Sequence, residues 1–215
     1  NNQKSSLHSK QETTNQRKQN KDKISLSKDQ YKAYQQLLSG NNVFLTGGAG
    51  TGKSFVLQLF INEMEKQNKN VIVCAPTGIA AINIQGVTIH RCFQVSPEPQ
   101  VVKNGKFRFR LKDELHGSFK LIVIDEISMC RIDLFDFVVR TIMKAEENSL
   151  SRKQIIVVGD FFQLPPVTTD NDLEVLKEIY ENYHKGYAFE STNWQDLNFQ
   201  TVELKQLHQD YEDPQ

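Results

Sequence analysis

The chain has 215 residues, enough for one ordinary domain with a real core, and its 26 basic and 26 acidic side chains cancel to zero net charge. That balance excludes a protein that holds nucleic acid by bulk positive charge, and no apolar run approaches the roughly 18 residues of a membrane span or forms a signal-peptide core. Cys74, Cys92 and Cys130 are far apart and in no C-x-x-C spacing, which argues against a zinc site or a disulfide framework and predicts reduced, buried thiols in a soluble intracellular protein.

Residues 1–28 carry seven Lys/Arg against two acids, and residues 170–213 carry eleven acids against three Lys. Residues 1–24 hold almost nothing apolar, so they cannot offset their ordering entropy by burial and are expected to be a disordered polar tail. The folded part, 25–215, opens at Leu26-Ser27-Lys28-Asp29-Gln30. Ser27 and Gln30 have capping-box spacing and start a helix running through Leu38 to a stop at Gly40. Capping accounts for Gln30 by itself; reading the adenine edge of ATP through its amide is the alternative.

Asn42-Val43-Phe44-Leu45-Thr46 reads as a buried strand. Gly47-Gly48-Ala49-Gly50-Thr51-Gly52-Lys53-Ser54 follows and fits G-x-x-x-x-G-K-S/T, the phosphate-cradling P-loop. Glycines let backbone N–H groups approach phosphate oxygens, and the helix that starts near Lys53 aims its positive end at the same anion. Lys53 provides a point charge for the β- and γ-phosphates, and the Ser54 hydroxyl is spaced to ligate Mg²⁺. Phe55, Val56, Leu59, Phe60 and Met64 keep helical spacing behind the loop.

Val71 to Ala75 is a second strand, apolar throughout as expected when both sheet faces are covered. Pro76-Thr77-Gly78 breaks it, and a helix follows from Ile79 to about Ile84. Thr77, Gly78, Thr88 and His90 then fall in loops at strand ends and helix starts, where ligands bind in open α/β sheets. Asn104-Gly105 between alternating residues predicts a hairpin, with Arg108 and Arg110 sharing one face. That pattern suits single-stranded nucleic acid or an ordinary edge hairpin.

Leu121-Ile122-Val123-Ile124 ends in Asp125-Glu126, the Walker B arrangement. Asp125 is placed to hold Mg²⁺, and Glu126 to orient and deprotonate an attacking water. A helix is expected from Arg131 to about Glu147. The fourth strand, from Ile155, leads into Phe161-Phe162-Gln163-Leu164-Pro165-Pro166-Val167, where Gln163 on a proline-stiffened loop is suited to sensing a phosphate. Leu173 to Tyr183 is expected to be helical, Trp194 to be core, and Thr201–Leu204 to be a short closing element. Strands alternating with helices predict an α/β P-loop NTPase fold, a doubly wound, mostly parallel sheet with helices on both faces.

The blocks LSKDQ, VFLTGGAGTGKS, APTGIAA, GVTIHRCF, LIVIDEISM, VVGDFFQLPPV and YAFESTNW, in that order from about residue 25 to 197, resemble the Pif-one family of DNA helicases, RecD-like members of helicase superfamily one. The resemblance implies the first RecA-like domain of an ATP- and Mg²⁺-dependent motor that tracks 5′ to 3′ on single-stranded DNA and DNA junctions. It implies work in DNA repair, recombination or telomere maintenance. The expected location is the nucleus, or the mitochondrion, of a eukaryote or the cytoplasm of a bacterium, with no membrane association and a monomer expected.

By the same resemblance, Gln30 looks like the adenine-reading glutamine and Gln163 like the γ-phosphate sensor. Thr77, Gly78, Thr88 and His90 look like part of the single-strand contact surface. Two departures stand out. Gln209 follows His208 where the family shows an Arg-Gln pair, and no arginine occurs after Arg152. A second RecA-like domain is also absent from these 215 residues, so a fragment or degenerate copy is expected. A nucleotide-gated DNA-binding module without motor activity is the alternative. A small-molecule kinase fits poorly with the QLPP loop.

Overall fold

A computed structural model of the chain describes residues 26–99, 119–149, 152–181 and 183–205. The expected tail over 1–24, the Asn104-Gly105 hairpin with Arg108 and Arg110, and the Gln206–His208 segment lie outside the described residues.

Six strands form one sheet in the order β3-β2-β4-β5-β1-β6, with every neighbouring pair parallel. They are β1 (Val43–Gly47), β2 (Val71–Ala75), β3 (Val87–Thr88), β4 (Leu121–Ile124), β5 (Gln154–Val158) and β6 (Gln200–Leu204). Successive side chains of the inner strands enter opposite cores. Leu121, Val123, Ile156, Val158, Val43 and Leu45 pack on one face, and Ile122, Ile124, Ile155 and Val157 pack on the other. This two-residue alternation explains why these strands are apolar at nearly every position, Thr46 and Gln154 excepted.

The first face is covered by α1 (Lys28–Leu38) and α2 (Lys53–Lys66), which bury Ala33, Leu37, Val56, Leu57, Phe60 and Met64. The second is covered mainly by α5 (Ile132–Ser149), through Phe135, Val138, Val139 and Ile142, joined by Ile89 and Phe93 of α4 (Ile89–Phe93). The α2 crossover leads from β1 across the sheet to β2, whereas α5 leads back from β4 to β5 on the other face. Right-handed connections running in opposite directions must lie on opposite faces, which gives the doubly wound architecture.

The fold class expected from the sequence is the one found, with two strands added. β3 is only two residues long. β6 pairs with β1 from Val43↔Gln200 to Gly47↔Leu204. The helix expected over 173–183 is instead α6 (Asp170–Ile179). Thr169 and Asp172 form a capping box that starts it earlier, and Tyr180 leaves helical geometry to donate its hydroxyl to the buried Asp136 at 2.9 Å. The two short helices are α3 (Gly78–Asn83) and α7 (Thr192–Asp196).

Candidate nucleotide and strand-contact edge

β1 ends at Gly47 with φ 144°, and the chain turns through Gly50 at φ 75° and Gly52 at φ 88° before α2 begins at Lys53. A side chain at Gly47 would strike the Leu204 carbonyl on β6, so this glycine serves close strand packing as well as the turn. Gly52 caps α2 without a side-chain hydrogen bond, leaving the positive end of a 14-residue helix facing the loop. Gly48, Ala49, Gly50 and Ser54 are exposed along the same turn. Thr51 closes it by donating its hydroxyl to the Gly48 carbonyl at 2.8 Å.

The Lys53 ammonium donates to the carbonyls of Gly47 at 2.7 Å and Gly48 at 3.1 Å. Its charge also acts on Asp125, at the carboxyl end of β4. Burial pushes Asp125 up to about 6; the Glu126 N–H and the Lys53 charge pull against the rise, and the Glu126 charge adds to it. The Glu126 backbone N–H donates to Asp125 Oδ1 at 2.9 Å. Glu126 itself is held at φ 51° and ψ 45°, a left-handed conformation that a non-glycine residue seldom takes, at the start of a 3₁₀ turn over Ile127–Met129. Behind it, Ser128 Oγ is buried and is the only buried side-chain polar atom among the described residues without a hydrogen-bond partner.

Gln30 reaches this edge from α1. Its Oε1 accepts the Ser27 N–H at 3.0 Å, completing the capping box, and its Nε2 donates to the Thr51 carbonyl at 3.2 Å. The side chain therefore caps a helix and buttresses the P-loop at once. The residue is 2% exposed, and each end of the amide keeps one further hydrogen-bonding position.

β5 lies between β4 and β1, so the loop that leaves it stands between the carboxylates and the P-loop. The Gly159 N–H donates to the Leu45 carbonyl of β1 at 3.1 Å, and the exposed Gln163 donates its amide to Asp160 Oδ2 at 3.2 Å. By Val167 the same loop has reached a cleft of about 190 Å³ that is also lined by Pro76, Thr77, His90, Pro97 and Arg131. One loop thus runs from the nucleotide edge to the region expected to contact a strand.

The four residues of that region fall at helix starts. Thr77 accepts the Ala80 N–H at 3.3 Å as the cap of α3, and Thr88 accepts the Arg91 N–H at 3.2 Å as the cap of α4. Gly78 is exposed, and a side chain there would meet nothing. His90 is half-buried; burial and the nearby Arg131 lower its pKa, with Asp133 opposing, which favours the neutral imidazole. Arg131 was not singled out in the sequence. It pairs with Asp133 at 2.6 Å and Asp172 at 3.3 Å, so acidic partners offset its charge in the cleft. Asp133 is a local partner, but nothing in the sequence signals the pair with Asp172, 41 residues away.

The donor set fits a nucleotide and a hard divalent cation. Glycine N–H groups, a helix N-terminus and an ammonium suit phosphate, and a carboxylate with a hydroxyl suits Mg²⁺. Among the described residues no group of three or more His, Cys, Asp or Glu could form a closed metal cage.

The model of the PIF1-like helicase family matches residues 25–211. The ATP-dependent DNA helicase Pif1 of Campylobacter jejuni is 39% identical over 180 residues, covering 80% of this chain and 38% of that protein. A crystal structure of Bacteroides Pif1 bound to ssDNA superposes with a TM-score of 0.72 at 35% identity, covering 86% of this chain and 42% of that one. A complex of Bacteroides sp Pif1 with ADP-AlF4 gives 0.73 at 34% identity, with 86% and 43% covered. The chain therefore spans about two fifths of the length of these relatives.

Proposed function

The chain belongs to the PIF1-like helicase family, and from that premise we propose that it is the ATP- and single-stranded-DNA-binding motor domain of an ATP-dependent DNA helicase. The observation that carries the reading is the convergence at one sheet edge of the Lys53 loop, the Asp125-Glu126 pair and, on the strand between them, the Gln163 loop.

In this reading Gly47, Gly48, Ala49, Gly50, Thr51 and Gly52 cradle the phosphates. Lys53 neutralises the β- and γ-phosphates, and Gln30 reads the adenine edge. Ser54 and Asp125 hold Mg²⁺, which draws negative charge from the γ-phosphate when bound. Glu126 orients the attacking water and takes its proton, and its unusual backbone conformation fixes where that carboxylate starts. Gln163 reads the γ-phosphate. Thr77, Gly78, Thr88 and His90 contact the strand, with DNA junctions as the expected substrate of the whole helicase. The relatives solved with ssDNA and with ADP-AlF4 support the pairing of these two ligands.

Titration of the 215-residue chain with a fluorescent ATP analogue, with and without Mg²⁺, tests the reading. Saturable binding strengthened by Mg²⁺ is the expected result, and no binding at millimolar analogue overturns it.

A further inference from the structure

Beyond Asp160 the chain runs exposed through Phe162, Gln163, Leu164 and Pro165, between the half-buried Phe161 and the buried Pro166. Its ring meets four others, with centroids at 4.7 Å to Phe189, 5.4 Å to Phe44, 5.6 Å to Tyr187 and 5.7 Å to Trp194. Three of the four contacts are edge-on, the geometry that the ring quadrupoles favour. Phe44 stands on β1, three residues before Gly47, so the seat of Phe161 and the P-loop share one strand.

The outer wall of this seat is held by an unusual clasp. Tyr187 and Phe189 stack 5.1 Å apart at an interplanar angle of 15°. The Glu190 carboxylate accepts four successive backbone N–H groups, from His184, Lys185 and Gly186 at 3.1 Å each and from Tyr187 at 3.3 Å. Farther along, Ser191 and Asn193 donate to the buried Asp136 of α5, Asn193 at 2.7 Å. A carboxylate that gathers four N–H donors fixes a loop far more firmly than burial of the 41%-exposed Phe189 could.

We propose that Phe161 is the positioning residue for Gln163: its ring, seated among Phe44, Trp194, Tyr187 and Phe189 and clasped by Glu190, sets where the Gln163 amide stands relative to the P-loop. This rests on the reading of Gln163 as the γ-phosphate sensor. Gln163 is two residues from the anchored ring, and its other restraints among the described residues are the Asp160 turn and, three residues on, the buried Pro166. A hydrogen bond to phosphate fails within a fraction of an ångström of misplacement, so an exposed sensor needs a fixed root.

The test compares the affinity of the 215-residue chain for a non-hydrolysable ATP analogue and for ADP, both with Mg²⁺, taking the ratio as the sensor's signature. Gln163→Ala and Phe161→Leu are each expected to lower the preference for the ATP analogue about three- to tenfold while leaving ADP affinity unchanged. Phe161→Tyr is expected to keep the parent ratio. Phe189→Ala, at an exposed ring that tolerates truncation, is expected to fall between and decides the matter if Phe161→Leu does not fold. A parent ratio in both Phe161→Leu and Phe189→Ala, beside a lowered ratio in Gln163→Ala, overturns the proposal and leaves the sensor standing. Equal loss of ADP and analogue affinity also overturns it. An unchanged ratio in Gln163→Ala removes the sensor reading and the proposal with it, without touching the role of Lys53.

Discussion

At the inner half of the sheet's carboxyl edge, around β1, β5 and β4, the exposed backbone is drawn around charges: Lys53 over the loop carbonyls, and Asp125 sunk beside Glu126. At the outer half, beyond β2 and β3, apolar and neutral groups facing solvent stand beside the exposed Arg91 of α4. Ile79 and Ile82 of α3 are 78% and 77% exposed, the threonines are engaged as helix caps, and Arg131 is paired with acids. On the proposed reading the two halves meet different ligands. The inner half suits a compact, highly charged group at fixed distance, and the outer half suits a long ligand met by hydrogen bonds and apolar contact with little net charge exchanged.

The largest expected effect that sharpens this contrast is at Lys53. Removing a charge-assisted contact to phosphate costs about 1.5–3 kcal/mol, so Lys53→Ala is expected to weaken ATP·Mg²⁺ binding about ten- to hundredfold with the fold intact. Titration with a fluorescent analogue checks it; equal affinity in mutant and parent would mean the loop is not the binding site.

Asp125 comes next. Its folded pKa, about 6, lies above the unfolded value near 3.9, so the folded chain holds this proton more tightly than the unfolded one. Its ionisation penalises the metal-free fold fully above pH 6, and the penalty is relieved as pH falls from 6 toward 4. Asp125→Asn is therefore expected to stabilise the chain in EDTA by on the order of 2 kcal/mol at pH 7.5 and by almost nothing at pH 4. Melting curves across that range check the sign. A mutant that is less stable at pH 7.5 would mean that the buried carboxylate is supported by partners stronger than the Glu126 N–H.

The smallest effect is at the outer edge. Thr88→Ala removes the α4 cap and is expected to cost about 1 kcal/mol of stability, with nucleotide affinity unchanged. A parallel loss of nucleotide affinity would break the separation of the two halves.

What the sequence made legible follows from range. The P-loop, the Asp125-Glu126 pair and the four inner strands are local patterns, each readable within about ten residues. The Ser27–Gln30 box was equally local, but the Gln30 bond to Thr51 spans 21 residues and needed the fold. β6 is legible only as a closing element because an edge strand buries just Val202 and Leu204. α6 starts earlier than its apolar spacing suggests because Thr169–Asp172 has loop chemistry that in fact forms a capping box. The same box could have been found by spacing alone. Trp194 was expected in the core and packs against it, while Ile79 and Ile82 stand in solvent against their hydropathy. Asp136 and Glu190 gave no signal at all. Asp136 finds its partners 44 to 57 residues away, and Glu190 bonds backbone groups that every sequence carries.

The most direct test of the two-edge account is fluorescence anisotropy of labelled single-stranded and duplex oligonucleotides with the parent chain and with Lys53→Ala, across a salt series and without nucleotide. The account predicts that both proteins bind the single strand equally and the duplex more weakly. It also predicts a shallow slope, with less than about tenfold lost between 50 and 200 mM salt, because few phosphate charges are neutralised. Tighter duplex binding, or a single-strand affinity that falls with Lys53→Ala, would contradict it.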